Sequence, residues 1–278
     1  MNNFLVFQSD FGLCDAAIGE MEGVVFSINP NINIRHLCHQ IGEYNIFEAS
    51  YRLFQTIDYW PTGTTFVSIV DPGVGSDRLS VVAKTKSGQY IVTPNNGTLS
   101  HVHKFLGIEE VRIIDETKNR LKGSNESYTF HGRDVYAYTG ARLASNTITF
   151  EEVGPIISNE QIVMLEICGT KFVDNKVIGQ VDLLDSIFGS LWTSIDIKEF
   201  KQLGINIGEY VNVEIKHNNE SIYKEKLLYG HSFADVEIGK SLVYMNSLNH
   251  IGIAINQGNF SKTYNVLAGK DYIVEFNK

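Results

Sequence analysis

The chain has little that would point to a membrane, a disulfide framework or a nucleic-acid partner. Its 278 residues include three cysteines, Cys14, Cys38 and Cys168, an odd and widely spaced set that predicts neither disulfides nor a cysteine-rich zinc site. No stretch approaches the roughly 20 consecutive apolar residues that a membrane-spanning helix needs. The sequence therefore predicts no contact with a membrane.

Lysine and arginine are fewer than aspartate and glutamate, 23 against 32. The formal net charge is −9, and the lysines and arginines form no dense block. A phosphate-backbone partner needs such a block, so we expect no nucleic-acid partner. The first residues lack a basic segment followed by an apolar run of secretory length, and we expect a cytoplasmic protein.

Strand and helix patterns alternate through about the first 155 residues. Strands are predicted at residues 4–7, 33–37, 64–70, 80–84 and 89–93, and helices at residues 16–28, 46–59 and 135–145. Strands separated by helices favour a mainly parallel sheet, whose ligands bind beyond the carboxyl ends of the strands. We predict an α/β domain over residues 1–158.

The pattern changes after about Gly154 to short strands separated by turn signals such as Asn218-Asn219 and Gly239-Lys240. This spacing is typical of a small antiparallel barrel or sandwich. We predict a smaller all-β domain over residues 165–278.

Polar residues follow two of the predicted strands of the first domain. Asp10, with Asp15 nearby, could bind the two hydroxyls of a ribose or could cap the next helix. Asp71 ends an apolar strand, and a turn with Pro72 and two glycines could fold Arg78 back onto it. That pair could be catalytic, or it could be a structural ion pair that stabilises the loop.

Two further segments carry candidate site residues. His131, within Thr129-Phe-His-Gly-Arg-Asp134, could orient or deprotonate water, or could be a buried structural histidine. Asp185, Phe188 and Trp192 surround a glycine turn that suits a flat, charged ligand, or a hairpin with core aromatics. The pairs His36/His39 and His101/His103 have metal-site spacing without further ligands, so we expect no metal.

Taken in order, these segments resemble the SAM hydroxide adenosyltransferase family, the adenosine-forming S-adenosyl-L-methionine (SAM) hydrolases, whose relatives include bacterial fluorinase and chlorinase. The most specific motifs are Val70-Asp-Pro-Gly-Val-Gly75 with Arg78, and Thr129-Phe-His-Gly-Arg-Asp134. Supporting segments are Ser9-Asp-Phe-Gly12, Cys38-His-Gln-Ile41, Pro94-Asn-Asn-Gly97 and Asp185-Ser-Ile-Phe-Gly189. The resemblance covers nearly the whole chain.

The resemblance implies that Asp71, Arg78 and His131 hold and activate a water molecule. That water would attack the ribose 5′ carbon of SAM and release adenosine and L-methionine, without a cofactor. The remaining substrate-binding residues that it implies are Asp10, Asp15, Tyr44, Phe130, Gly132, Asp185, Phe188, Ser190, Trp192 and Ser247. It also implies a homotrimer that binds SAM between the N-terminal domain of one subunit and the C-terminal domain of its neighbour.

Two positions depart from the family pattern. Asn95 stands where the family usually has aspartate, and it can keep the same turn geometry. Ser190 stands where the family usually has an asparagine that contacts adenine. This departure leaves open the alternative that the protein binds SAM or adenosine without catalysing a reaction. A halogenase is less favoured, because halogenases replace the aspartate and histidine and carry an extra loop after the turn at Asp71. A purely structural trimer is a third alternative.

Overall fold

The computed structural model describes residues 3–278. The chain divides into two compact units, Met1–Glu166 and Ile167–Lys278. No helix of the described residues is both long and apolar enough to cross a membrane.

The first unit is built on a six-stranded sheet. Its strands are β1 (Phe4–Ser9), β2 (Asn33–Cys38), β3 (Thr65–Ile69), β4 (Ser80–Thr85), β5 (Tyr90–Pro94) and β6 (Ile108–Ile113). Its α-helices are α1 (Ala17–Ile28), α2 (Ile46–Thr56) and α3 (Tyr138–Ala144), and π-helical turns occupy Val102–Leu106 and Gly132–Ala137. The strand order is β2-β1-β3-β5-β4-β6, with parallel pairing from β2 to β5 and antiparallel pairing of β4 with β5 and β6.

Helices cover both faces of this sheet. Leu5 and Phe7 of β1 point into one core with α1 and α3, whereas Val6 points into the other core with α2. Alternate side chains of a strand face opposite sides, so both sets must be apolar when both faces are covered. Helix α3 lies so close to the sheet that a Cβ on Gly140 would stand 2.6 Å from Val67.

The second unit is a closed barrel of seven strands, with one further short strand. The strands are β7 (Lys171–Val173), β8 (Lys176–Leu184), β9 (Leu191–Asp196), β10 (Tyr210–His217), β11 (Glu220–Tyr229), β12 (Ser241–Met245), β13 (His250–Ile255) and β14 (Gly269–Asn277). Pairing of β14 with β8 closes the barrel, and among the described strands of this unit only β11 and β12 pair in parallel. Short helices α4 (Ile197–Phe200) and α5 (Phe260–Tyr264) complete this unit. The interior is one apolar cluster.

The predicted fold class is confirmed, an α/β unit followed by a smaller β-barrel. The first sheet is mixed, because the hairpin of β4 and β5 adds antiparallel strands at one edge. Two strands, β6 and β7, were not predicted. Strand β6 reads Ile-Glu-Glu-Val-Arg-Ile and lies at the sheet edge, where charged side chains reach solvent and weaken the apolar pattern.

Candidate active site

Two aspartates stand at neighbouring strand ends. Asp10 directly follows β1, and Asp71 lies two residues beyond β3. β3 pairs with β1 on one side, while β2 pairs with β1 on the other. The strand order therefore reverses here, and such a switch point is where open α/β sheets bind ligands.

A cavity of about 430 Å³ opens at this switch point. Six of the residues singled out in the sequence line it, namely Asp10, Tyr44, Asp71, Phe130, His131 and Gly132. Phe11, Ile69 and Val74 add apolar surface. The size and mixed lining suit a small molecule that has both charged and flat apolar parts.

Arg78 folds back onto Asp71 across the loop that follows β3. Its Nε donates to Asp71 Oδ1 over 2.8 Å and its Nη2 donates to Oδ2 over 2.5 Å, which makes a bidentate ion pair. The exposed fractions of the two side chains are 11% for Arg78 and 6% for Asp71. Nη1 of Arg78 donates to Ser80 Oγ over 3.0 Å, so each nitrogen of the guanidinium has a partner.

His131 joins this pair from a distant part of the chain. Its Nδ1 lies 2.9 Å from Nη2 of Arg78, and its side chain is buried. His131 immediately precedes the π-helical turn Gly132–Ala137, which continues into α3. The structure thus brings together Asp71, Arg78 and His131, of which Asp71 and His131 line the cavity.

A second arginine stands on the other side of the imidazole. Arg120 Nη2 lies 3.0 Å from His131 Nε2. Its Nε and Nη2 also donate to Glu116 Oε2, over 3.1 and 2.5 Å. Ser80 donates to the other oxygen of Glu116 over 3.4 Å and so links the two arginines. These contacts close a ring of five side chains, and Asp71 pairs with Arg78 beside it. The ring consists of His131, Arg78, Ser80, Glu116 and Arg120.

The charges in this ring set the protonation of its members. Burial lowers the pKa of His131, and the positive charges of Arg78 and Arg120 lower it further. Burial would lower the pKa of Arg78, but the hydrogen bond to Asp71 and the surrounding groups Tyr136, Asp71 and Glu116 together outweigh burial and raise the pKa. Burial raises the pKa of Tyr136, whose hydroxyl lies 3.5 Å from Asp71 Oδ2, and the charge of Asp71 raises it further. His131 is therefore neutral near pH 7.

Aromatic rings wall the cavity beside His131. Phe11 and Phe130 meet edge to face with centroids 5.9 Å apart, and Arg133 stacks over Phe130 at 5.0 Å. A Cβ on Gly132 would stand 3.1 Å from Phe130 and 3.3 Å from Phe11. The absence of a side chain at Gly132 therefore keeps this part of the cavity open.

The Asp10 carboxylate also lines the cavity, next to Tyr44. Its Oδ2 accepts from the backbone N–H of Tyr44 over 2.9 Å. Tyr44 has φ of 61°, a left-handed conformation that costs a bulky residue energy and persists where contacts enforce it. Asp10 therefore both lines the cavity and fixes the turn that carries Tyr44.

Two models of one protein family match this chain. The family model described as the SAM hydroxide adenosyltransferase N-terminal domain matches residues 5–154. The model of the C-terminal domain of the same family matches residues 179–273. The chain belongs to the SAM hydroxide adenosyltransferase family.

Individual relatives of this family carry the names of two reactions. A protein from Methanocaldococcus jannaschii named (R)-S-adenosyl-L-methionine hydrolase is 32% identical to this chain, over 98% of this chain and 94% of its own length. A protein from Nocardia brasiliensis named fluorinase is 26% identical, over 95% of this chain and 94% of its own length. The crystal structure of an uncharacterized conserved protein from Thermotoga maritima superposes with a TM-score of 0.90 at 31% identity, over 99% of this chain and all of that one.

Two candidate residues of the first unit, Arg78 behind Asp71 and the more distant Asp15, do not line the cavity. Asp15 Oδ1 accepts from the backbone N–H of Ala17 over 2.9 Å, just before α1, whose N-cap residue is Ala16. The Asp15 side chain is exposed.

The candidate residues of the second unit lie at two turns. Asp185 Oδ1 accepts from the N–H groups of Ile187 and Phe188, and so closes the turn between β8 and β9. Phe188 is 65% exposed, whereas Ser190 is buried and Trp192 is half-buried on β9. Ser247 is exposed in the turn between β12 and β13. These positions offer an exposed aromatic ring and polar groups to a ligand.

The histidine pairs with metal-site spacing are engaged in other contacts. His36 Nδ1 lies 2.7 Å from His39 Nε2, His39 Nδ1 lies 2.7 Å from Ser9 Oγ, and His36 Nε2 lies 2.8 Å from Glu22. His101 Nδ1 lies 2.9 Å from Ser50 Oγ. Between residues 3 and 278, no group of three or more histidine, cysteine or acidic side chains could hold a metal ion.

Four residues that surround Asp71, Arg78 and His131 were not predicted from the sequence, namely Ser80, Glu116, Arg120 and Tyr136. Glu116 and Arg120 are four residues apart, a spacing that could have suggested an ion pair. Such a pair is most often a surface feature, so the spacing alone did not point to the site.

Proposed function

We propose that this protein hydrolyses SAM to adenosine and L-methionine, with Asp71, Arg78 and His131 as the catalytic residues. The observation that supports this most is the direct contact of Arg78 with both Asp71 and His131, the two of the three that line the cavity. The cavity also has a carboxylate, Asp10, at the strand end where a ribose would bind.

The proposed reaction is an in-line displacement at the 5′ carbon of the ribose. The oxygen of water forms a bond to this carbon while the bond from carbon to sulfur breaks, and its electron pair goes to sulfur. The proton of water passes to a group of the site and then to solvent. The sulfonium is a good leaving group, so the site contributes mainly by orienting the water about 3–3.5 Å from the carbon.

We propose the following contacts for the rest of the substrate. Asp10 binds the ribose hydroxyls, Tyr44 and Phe130 pack against the flat and apolar parts, and Gly132 leaves space for the reacting carbon. In the second unit, the contacts to the adenine and methionine parts come from Asp185, Phe188, Ser190, Trp192 and Ser247, with Asp15 beside the methionine part. We propose a homotrimer in which neighbouring subunits share each site. Analytical ultracentrifugation should then give a mass of three chains. We also propose that the reaction needs no cofactor.

The fluorinase relatives make a halogenase the second candidate. Asp71 disfavours it, because a halide in the cavity would lie beside a buried carboxylate that carries the same sign of charge. A non-catalytic SAM-binding protein is the third candidate, and it would bind SAM without altering it.

Incubation of the protein with SAM, with and without added fluoride or chloride, separates these candidates. We expect adenosine and methionine in equal amounts, independent of halide. A 5′-halogenated nucleoside would support the halogenase, and intact bound SAM would support the binding protein.

Substitution of Asp71 tests the proposed catalytic role. Asp71→Asn should lower kcat by about 10²–10⁴-fold, since it removes a charged group that orients or deprotonates water. Asp77→Asn is the matched control, because Asp77 is exposed on the same loop. Equal kcat values for Asp71→Asn and wild type, with both folded by thermal melting, would reject the assignment.

A further inference from the structure

The ring around His131 contains more hydrogen-bond donors than the imidazole can accept. Arg78 Nη2 faces Nδ1 at 2.9 Å and Arg120 Nη2 faces Nε2 at 3.0 Å. A guanidinium only donates, and a neutral imidazole has one nitrogen that accepts and one that donates. Only one of these two contacts can therefore be a hydrogen bond.

Arg120 depends more on the imidazole than Arg78 does. Arg78 already donates to both oxygens of Asp71 and to Ser80. Arg120 has Glu116 as its carboxylate partner, and its Nη1 is buried without a hydrogen-bond partner among the described residues. Loss of His131 as an acceptor would leave one N–H of Nη2 unpaired as well, in a buried guanidinium that already has an unpaired nitrogen.

Arg120 is also held firmly in place. It is 9% exposed, its guanidinium stacks over the Tyr128 ring at 5.1 Å, and Glu116 binds two of its nitrogens. It does not line the cavity, and the lining residue that it contacts at hydrogen-bonding distance is His131.

We propose that Arg120 is a positioning residue: it donates to Nε2 of His131 and so keeps the ring proton on Nδ1, on the side of Asp71 and Arg78. This inference rests on the proposed hydrolysis. His131 then donates from Nδ1 to the attacking oxygen, as Arg78 does, and it has no free nitrogen with which to accept a proton.

The proton acceptor in the reaction is then Asp71. The oxygen of water bonds to the 5′ carbon, the electron pair of the broken carbon–sulfur bond goes to sulfur, and the proton of water goes to the Asp71 carboxylate and then to solvent. An oxygen that bridges Nδ1 of His131 and Nη2 of Arg78 from beside them would accept from both, which converts two opposed donors into a site that stabilises hydroxide character.

Nitrogen-15 NMR of the full-length, histidine-labelled protein reads the position of the ring proton without substrate. His131→Gln assigns the signals. Between pH 6 and 8 we expect His131 with a protonated Nδ1 and an unprotonated Nε2. In Arg120→Met, which keeps an unbranched stem of similar length, we expect a mixture of both tautomers or a shift to protonated Nε2.

Arg112→Met is the matched control, because Arg112 also forms a largely buried ion pair, with Glu110, away from the site. Its His131 signals should equal those of wild type. A wild-type His131 that carries its proton on Nε2 overturns the proposal, and so does an unchanged tautomer in folded Arg120→Met. If Arg120→Met does not fold, the wild-type tautomer and that of Glu116→Gln still decide the question.

Kinetics separate this inference from the proposed function. If wild type turns over SAM, Arg120→Met should lower kcat by at least about tenfold while KM changes by less than about twofold, since a group that orients an active-site histidine affects the rate more than binding. Absence of SAM turnover in wild type would reject the proposed function alone, because the tautomer is measured independently. Turnover by wild type with protonated Nε2 would reject only the role of Arg120.

Discussion

Gly132 lines the cavity with its backbone, and two aromatic rings already occupy the space above its Cα. A Cβ there would stand 3.1 Å from Phe130 and 3.3 Å from Phe11, closer than ordinary van der Waals contact. The rings would move by a few tenths of an ångström, and the cavity beside His131 would narrow.

Gly132→Ala should therefore raise KM for SAM by about tenfold or more, since one methyl group in a binding pocket changes affinity by about 1–3 kcal/mol. Steady-state kinetics measure this change. Gly23→Ala is the control, because a Cβ on Gly23 of α1 meets no atom within 4 Å. An unchanged KM for Gly132→Ala would contradict the proposed location of the substrate.

Single residues also show how far the sequence could predict the site. Asp71, Arg78 and His131 stand in motifs next to glycine turns, and the structure brings them together. Arg120 has no such motif, and its proximity to His131 arises from tertiary packing between a loop and the start of a helix. Asn95 shows the same limit. Its amide donates to Gln161 O and its oxygen accepts from Val163 N–H, contacts that the local turn does not reveal.

At the scale of elements, the start of α2 supports the rim of the cavity. Asn45 caps this helix, with its Oδ1 accepting from Glu48 N–H over 3.0 Å. The preceding residue is Tyr44, whose left-handed backbone is held by Asp10. The cap and the Asp10 contact therefore fix the two sides of one turn.

Asn45→Ala should lower the free energy of unfolding by about 1 kcal/mol through loss of the cap. Denaturant unfolding measures it. Asn45→Asp should remain close to wild type, since aspartate is an equally good cap. Equal destabilisation by both variants would show that the amide acts through some contact other than capping.

The elements with regular patterns could be predicted from the sequence, and the irregular ones could not. Buried strands such as β3 are continuous apolar runs because helices cover both faces of the sheet. The helix predicted over residues 135–145 begins earlier, at the π-helical turn Gly132–Ala137. The wider π-helical turn has no distinct sequence period, so its start beside His131 could not be predicted.

At the scale of the whole molecule, buried neutral histidines make stability depend on pH. Burial, together with the charge of His36, lowers the pKa of His39 to about 4. Its pKa in the unfolded chain is near 6.5, so between these values the unfolded chain binds more protons. The free energy of unfolding should therefore fall as pH decreases from about 6.5 to 4. Burial lowers the pKa values of His131 and His250 as well, which act in the same direction.

Denaturant unfolding between pH 7.5 and 4.5 measures this dependence. His39→Gln should show a smaller decrease than wild type, and His103→Gln serves as a control outside the hydrogen-bonded chain of Ser9, His39 and His36. A free energy of unfolding that does not change over this range would contradict the assignment of neutral buried histidines.

The most direct test of the central claim follows the oxygen atom. A single turnover of SAM by excess protein in water enriched in oxygen-18 should give adenosine that carries one oxygen-18 at its 5′ hydroxyl, because the attacking atom comes from solvent. Adenosine with ordinary oxygen in that first turnover would mean that a protein carboxylate such as Asp71 attacks the carbon itself, and it would contradict direct attack by water held between Asp71, Arg78 and His131.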